Sequence, residues 1–256
     1  MNKYKILKVI DKTDNYYTPV KTLFDIPFRL LINGKSQMSG KTTIILNLLL
    51  RDEFYKGFFL PDNIHIFSNN KLDNKLKIMA EQLDIPPENI NEFDVDMIEM
   101  LYEDMEESFQ DETMDGEKPK NRLVIFDDCG YSGGLSSYKK VNIINKMICN
   151  GRHLNLSQIY TSQKYSQCST CLRTNITGAI LFGTTQREVD QIADDMSMYE
   201  KKSDFIKMFR NQTKKPRSFL VVNYTNPIDE LYLDSEFKPI ESSVTLVVYH
   251  YVNYVS

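Results

Sequence analysis

Residues Leu30–Leu50, LLINGKSQMSGKTTIILNLLL, join an apolar run to a short polar loop that opens into an apolar segment with helical spacing. This strand, loop and helix order lets backbone N–H groups and a helix N-terminus hold a phosphate chain. Gly40 lets the backbone approach a ligand closely, Lys41 places a cation on the outer phosphates, and the Thr42 hydroxyl can ligate Mg²⁺. The stretch therefore predicts a site for a nucleoside triphosphate.

The loop departs in one respect from the pattern G-x-x-x-x-G-K-[ST]. Its upstream glycine, Gly34, lies one residue too early, and Lys35 stands in its place. The loop is therefore one residue longer than usual, or it starts without glycine. The predicted phosphate-binding residues are Gly34, Lys35, Ser36, Gln37, Met38, Ser39, Gly40, Lys41, Thr42 and Thr43.

Length and composition are those of one globular α/β domain. The chain has 256 residues, of which 41% are hydrophobic and 26% charged, enough to build a full core. No apolar run approaches the roughly 20 residues of a membrane helix, and the first residues lack the apolar centre of a signal peptide. We expect a single domain over residues 1–256, acting inside a cell without membrane contact, with a core at about 28–223 and a C-terminal extension at 224–256 that adds a strand.

Charge and cysteine content limit the function classes. The net charge of −4 argues against a uniformly basic nucleic-acid coat, but acids concentrate between Glu92 and Glu117 while 201–202 and 214–217 are basic. A local basic surface for DNA phosphates is therefore compatible with the sequence. Cys168-x-x-Cys171 has no second paired motif to complete the four ligands of a structural zinc site, so we interpret both cysteines as ordinary small residues.

Strands and helices alternate along the chain. The pattern predicts strands at 30–32, 63–68, 122–126, 156–161, 178–182 and 218–223, with edge strands near both termini. It predicts helices near 41–52, 72–83, 95–109, 138–150, 163–173, 186–196 and 201–210, and a loop at 111–121. This alternation indicates a mainly parallel sheet covered by helices on both faces, with ligands at the carboxyl ends of the strands.

Two polar groups follow predicted strands at that edge. Asp127 and Asp128 end the apolar run RLVIF, where one carboxylate can hold Mg²⁺ and the next can orient or deprotonate an attacking water. We assign Asp127 to the metal and Asp128 to the water, although the pair could also cap a turn. Gln163 ends the next strand, where an amide can contact a γ-phosphate or the water, although it could also be a surface glutamine.

Two arginines are candidates for stabilising transition-state charge in a neighbouring subunit. Arg152, in NGRHLN, and Arg173, in LRTN, both precede predicted strands and can lie at a subunit edge. We favour Arg152 slightly, although either can equally be a surface or structural arginine.

Four segments in this order carry a family resemblance: NGKSQMSGKTT, RLVIFDDCG, NGRHLNLSQIYTSQKY and LRTNITGAILF. Together they resemble the FtsK/HerA-type genome-packaging ATPases of DNA viruses, including the poxvirus-type enzymes and those of virophages and Polinton-like elements. The resemblance covers roughly Leu30 to Asn223. It implies a RecA-like P-loop NTPase fold of the ASCE type that uses ATP and Mg²⁺. By residue, it implies the roles given above for Lys41, Thr42, Asp127, Asp128 and Gln163.

The resemblance also implies partners and location. It implies a pentameric or hexameric ring of this chain that threads double-stranded DNA into a preformed capsid, with capsid vertex or portal proteins beside it. It places the protein in the host cytoplasm, a viral factory or the virion. Arg152 and Arg173 match positions where the family carries basic residues. The loop Gly130–Ser137 with Lys139–Lys140 is a hypothetical DNA contact in the channel of such a ring, although any single residue there could also belong to a solvated loop.

Two other functions remain open at this point. A nucleotide or nucleoside kinase would carry an arginine-rich lid, and no stretch here has clustered arginines. A nucleotide-switched adaptor of a capsid or DNA-processing complex, with little turnover, is compatible with the sequence because Asp128 stands where glutamate is commoner. A single-turnover hydrolysis assay distinguishes such an adaptor from a motor.

Overall fold

The computed structural model describes residues 18–20, 23–35, 39–69, 74–129 and 143–241. Its strands are β1 Arg29–Asn33, β2 Ile64–Ser68, β3 Ile90–Glu92, β4 Arg122–Asp127, β5 Leu156–Ser162, β6 Gly178–Phe182, β7 Phe219–Asn223 and β8 Tyr232–Leu233. Its α-helices are α1 Lys41–Leu50, α2 Asn74–Gln82, α3 Val95–Met114, α4 Ile143–Asn150, α5 Thr170–Asn175, α6 Gln186–Met196 and α7 Lys202–Gln212.

The described strands form one sheet in the order β3-β2-β4-β5-β1-β6-β7-β8. The neighbours from β3 to β6 pair in parallel, whereas β7 runs antiparallel to both β6 and β8. Strand β5 is inserted between β1, which leads into the phosphate loop, and β4, which ends in the paired aspartates. Parallel pairing brings the carboxyl ends of β2, β4, β5, β1 and β6 to one edge of the sheet, as the sequence predicts for the ligand site.

Alternating side chains build a core layer on each face of the sheet. Leu30 and Ile32 of β1 pack with α1 and α2, while Leu31 between them packs in the layer of α3 to α7. The central strands are buried on both faces, which is why they are continuous apolar runs. The predicted fold class is thereby confirmed. None of the described helices has the length and apolar character that crossing a membrane would require.

Helix α3 is longer than its apolar spacing predicts. The sequence indicates an end near Phe109 and a loop from Asp111, but the helix continues to Met114. Glu112 explains the extension, because it is buried and its Oε1 lies 2.8 Å from Nη2 of Arg122 at the start of β4. Its other carboxylate oxygen accepts the backbone N–H of Lys120 at 3.0 Å. This ion pair between residues ten apart in the sequence stabilises a polar turn that local periodicity does not mark.

Other boundaries also differ from expectation. The helix predicted over 163–173 is a 3-10 turn at Tyr165–Gln167 followed by α5, whose N-cap Ser169 accepts the N–H of Leu172 at 3.1 Å. The short strand β3 was not predicted. Strand β8 lies inside the C-terminal extension, but upstream of the tail after Ser242 where the added strand was predicted. The edge strands predicted at both termini lie outside the described residues.

Candidate nucleotide-binding site

The phosphate loop joins β1 to α1 at the carboxyl edge of the sheet. Gly40 has φ 86° and ψ 27°, a left-handed conformation that glycine adopts without steric cost. The N-cap Gly40 has no side chain with which to cap α1, so among the described residues no side chain caps the N–H groups of the first turn. The buried side chain of Lys41 donates from Nζ to the carbonyl oxygen of Gly34 at 3.0 Å, and this holds the ammonium against the loop.

Gly34 is needed by packing although it lies one residue earlier than the usual pattern. A Cβ at this position would lie 2.7 Å from Cβ of Ser39 and 2.9 Å from Phe182, closer than real contacts allow. The hydroxyl of Ser39 donates to the carbonyl oxygen of Lys35 at 2.8 Å and closes the loop. Ser36, Gln37 and Met38 lie outside the described residues. Thr42 and Thr43 lie in the first turn of α1, where Thr42 is half-buried and Thr43 is exposed.

The carboxyl ends of β4 and β5 form a hydrogen-bonded group that we call the acidic flank: Asp127, Asp128, Thr161 and Gln163. The Thr161 hydroxyl donates to Oδ1 of Asp127 at 2.8 Å and accepts the backbone N–H of Asp128 at 2.9 Å. Both Asp127 and Thr161 are buried. One hydroxyl therefore fixes a carboxylate and the following peptide together.

Asp128 is the point at which the predicted residues converge. Its backbone has φ 50°, a left-handed conformation that is uncommon outside glycine and that neighbouring contacts stabilise. Its Oδ2 accepts Nε2 of Gln163 at 3.1 Å, and its Oδ1 lies 3.6 Å from Nζ of Lys41. Oδ1 is buried and has no hydrogen-bond donor among the described residues. The structure therefore brings Lys41, Asp128 and Gln163 together around one unsatisfied carboxylate oxygen.

Several polar residues of the site were missed by sequence reasoning. Asn69, just after β2, donates from Nδ2 to the carbonyl oxygen of Asp128 at 2.9 Å. Nδ2 of Asn33 and the N–H of Gly34 both donate to the carbonyl oxygen of Ser162, at 3.2 and 3.0 Å. Their positions in the sequence could have identified them, because each of these residues, like Thr161, stands at the carboxyl end of an apolar run. Their partners depend on which strands are neighbours in the sheet.

Neither candidate arginine contacts the acidic flank or the described loop residues. Arg152 is exposed on the 3-10 turn Gly151–Leu154, which precedes the amino end of β5, so the length of that strand, about 20 Å, separates it from the site. Arg173 is paired within the chain with Asp195, donates to the carbonyl oxygen of Cys168 at 3.2 Å and lies 5.5 Å above the Tyr165 ring. Their roles in a neighbouring subunit remain predictions.

The donors of the site fit a metal that arrives with phosphates. No group of three or more His, Cys, Asp or Glu side chains that could hold a metal occurs in the described part of the chain. Magnesium at phosphate sites needs only one or two carboxylates beside the phosphate oxygens. The Asp127 carboxylate and the Thr42 hydroxyl are hard oxygen donors of that kind. Burial strongly raises the pKa of the adjacent Cys129 thiol, so this side chain adds no negative charge next to Asp127.

The remaining cysteines are not arranged as a set of zinc ligands. Cys168 is buried, and Sγ of Cys171 lies 3.7 Å from Sγ of Cys149 rather than beside Cys168. All of these side chains are thiols without a disulfide.

The chain matches the family model described as Poxvirus A32 protein over residues 18–230. It belongs to that family. Membership confirms the resemblance to FtsK/HerA-type viral packaging ATPases and the prediction that this chain is an ATPase. No curated protein sequence matches the chain at a significant level.

Solved structures show the same fold at low sequence identity. The genome packaging NTPase B204 from Sulfolobus turreted icosahedral virus 2, in complex with AMPPCP, gives a TM-score of 0.52 at 14% identity over 77% of this chain and 93% of that chain. Its complex with ATP-gammaS gives 0.51 at 16% identity over 77% and 92%. EssC (ATPases 2 and 3) from Geobacillus thermodenitrificans gives 0.58 at 17% identity over 86% of this chain and 41% of that chain. These likenesses support the RecA-like fold and nothing finer.

Proposed function

We propose that this ATPase is an ATP-driven translocase of double-stranded DNA that packages a viral genome into a preformed capsid. The observation that carries the proposal is the convergence of Lys41, Asp128 and Gln163 at the end of the phosphate loop, in a chain of this family. A cation, a carboxylate with an unsatisfied oxygen and an amide are the groups that hydrolysis of a terminal phosphate needs.

Phosphate binding is the role of the loop and of the first turn of α1. Lys41 supplies a cation, and the uncapped N–H groups of the helix supply donors. Thr42 and Asp127 would hold Mg²⁺, which neutralises charge on the phosphate oxygens when it is bound. The Thr161 hydroxyl keeps the Asp127 carboxylate in one orientation.

Water activation is the role of Asp128. Its Oδ1 accepts no hydrogen bond from the described residues, while Gln163 donates to Oδ2 and holds the carboxylate in place. Oδ1 accepts a proton from the attacking water, and the Gln163 amide, which is exposed on its other side, reports the presence of the terminal phosphate.

The working assembly is a ring of five or six copies around DNA, beside capsid vertex or portal proteins, in the host cytoplasm, a viral factory or the virion. Support for trans action comes from Arg152, which is exposed and about a strand length from its own site, so it cannot act there and is accessible to another subunit. The hypothetical DNA contacts at Gly130–Ser137 and Lys139–Lys140 lie outside the described residues.

The test is ATP hydrolysis with and without linear double-stranded DNA, on the wild type, Asp128→Asn and the exposed control Glu81→Gln on α2. We expect DNA to stimulate turnover in the wild type and in Glu81→Gln, and Asp128→Asn to bind ATP but not to hydrolyse it. ATP turnover that DNA does not stimulate would contradict the proposed DNA translocase. Tight ATP binding without wild-type turnover in a single-turnover assay would favour the nucleotide-switched adaptor.

A further inference from the structure

The acidic flank lies on only one side of the phosphate loop. Along the carboxyl edge the order of strands is β4, β5, β1, β6, so β1 and its loop separate the acidic flank from β6. A nucleoside triphosphate carries its terminal phosphate at one end and its nucleoside at the other. If the terminal phosphate meets Asp128 and Gln163, as the proposed function requires, the nucleoside points towards β6.

A cavity is present on that side. Because β7 runs antiparallel to β6, its first residue Phe219 pairs with Phe182, the last residue of β6. This pairing brings the turn 213–218, which joins α7 to β7, to the same edge as the phosphate loop. Between the turn and the loop residues Lys35 and Ser39 lies a cavity of about 310 Å³.

The walls of this cavity are fixed by short contacts. A Cβ at Gly183 would lie 3.2 Å from the carbonyl oxygen of Thr213, so the end of α7 packs closely on the end of β6. The backbone N–H and the hydroxyl of Ser218 both donate to the carbonyl oxygen of Lys215, at 3.1 and 2.8 Å. Arg217, which lies between Lys215 and Ser218 in the sequence, has φ 64°. The turn is therefore a defined wall rather than a loose connection.

Four cations line the cavity, and we call them the basic flank: Lys35, Lys214, Lys215 and Arg217. All four are exposed, and none of their side chains forms an ion pair or hydrogen bond with another described residue. The described lining contains no carboxylate. Ammonium and guanidinium groups only donate, and a guanidinium also stacks on an aromatic ring. Such a wall suits the acceptors of a ribose and a base, next to a phosphate.

We propose that this cavity binds the nucleoside end of the nucleotide, with Arg217 contacting the base or ribose. The proposal rests on the proposed function for the direction of the nucleotide. It makes a specific distinction between two ligands. ATP reaches the cations of the turn 213–218, whereas inorganic tripolyphosphate, which lacks the nucleoside, reaches only the loop, including Lys35, and the acidic flank.

The experiment compares the dissociation constants of ATP and tripolyphosphate in the wild type, Arg217→Asn and the control Lys207→Ala. Asparagine tolerates the left-handed backbone at 217, and Lys207 is an exposed lysine of α7 outside the cavity. We expect Arg217→Asn to weaken ATP about tenfold and to leave tripolyphosphate within about twofold. Equal weakening of both ligands, or of neither, would overturn the proposal, and Lys207→Ala should change neither.

A second readout does not depend on folding of a variant. Photolabelling of the wild type with 8-azido-ATP should attach to residues 213–218, and label confined to other peptides contradicts the proposal. The failure of the proposed function is distinguishable. Suppose that the wild type binds ATP more tightly than tripolyphosphate and is photolabelled at this turn, but does not hydrolyse ATP. The nucleoside pocket would then be supported, and the proposed translocase would be contradicted.

Discussion

The two flanks of the phosphate loop are built in opposite ways. In the acidic flank, Asp127 and Thr161 are buried, and Thr161 and Gln163 bond directly to the carboxylates and backbone of the aspartate pair. In the basic flank the cations are exposed and have no partner among the described residues. One side of the loop is ordered before a ligand arrives, and the other offers its polar groups to a ligand.

This difference predicts that the acidic flank determines the rate of hydrolysis, whereas the basic flank determines the affinity for ATP. Groups that are already oriented stabilise developing charge without reorganisation during the reaction. Long exposed side chains lose rotamer freedom when they bind, so they contribute to affinity only what remains after that cost. We therefore expect changes in the acidic flank to lower kcat, and changes in the basic flank to raise KM for ATP.

Among changes to the residues that support the aspartate pair, the largest effect is expected for Thr161→Val, which keeps the side-chain shape and removes the hydroxyl. Oδ1 of Asp127 then loses the hydrogen bond from the Thr161 hydroxyl, and the N–H of Asp128 loses the hydroxyl that accepts it. We expect kcat to fall by about 10- to 100-fold and the free energy of unfolding by about 1–3 kcal/mol. Phosphate release and thermal unfolding measure the two effects.

The matched control is Thr161→Ser, which retains the hydroxyl. It should keep kcat within about threefold of the wild type, because both hydrogen bonds can still form. A Thr161→Val variant with a raised KM for ATP and an unchanged kcat would contradict the proposed difference between the two flanks.

A smaller effect is expected on stability when the pH is lowered, because a histidine lies on β2, the strand next to β4. His65 lies on β2, which pairs with β4, and burial lowers its pKa to about 4 from an ordinary value of 6.5. Between these values the unfolded chain binds a proton that the folded chain does not, so stability falls as the pH falls from about 6.5 towards 4. Linkage gives a loss of about 2 kcal/mol between pH 7 and pH 5.

Urea unfolding at several pH values measures this loss. His65→Asn cannot titrate there, so its stability should change less over the same range. Parallel pH profiles for the two proteins would show that His65 is not the source. The basic flank contains no histidine, so Arg217→Asn should leave the slope of stability with pH unchanged.

The acidic flank was largely predictable because its signals are local. Lys41 follows a recognisable loop, and Asp127, Asp128 and Gln163 each end an apolar run, which is where parallel strands deliver side chains to a ligand. Their convergence requires only that β5 lie beside both β1 and β4.

The basic flank was not predictable as part of the site. The residues Lys214–Arg217 are conspicuous as a basic run, but their position beside the loop depends on the reversed direction of β7. Thr161 was missed for a similar reason, since its partners lie on a neighbouring strand. The last turn of α3 depends on Glu112 and Arg122, an ion pair that no periodicity reports. In each case the missing information is a contact between different elements of secondary structure.

The smallest expected effect distinguishes the two arginines, which lie outside both flanks. Arg173→Ala removes a partly exposed ion pair with Asp195 and a contact with the Tyr165 ring, so we expect the free energy of unfolding to fall by about 1 kcal/mol. Arg152→Ala removes an exposed side chain whose described contact is with His153, and should change stability by less than about 0.5 kcal/mol. Thermal unfolding measures both. A loss of turnover in assembled Arg152→Ala, without loss of stability, would indicate a role in a neighbouring site. An Arg173→Ala variant as stable as the wild type would instead show that its ion pair is dispensable and that this arginine is available to a neighbouring subunit.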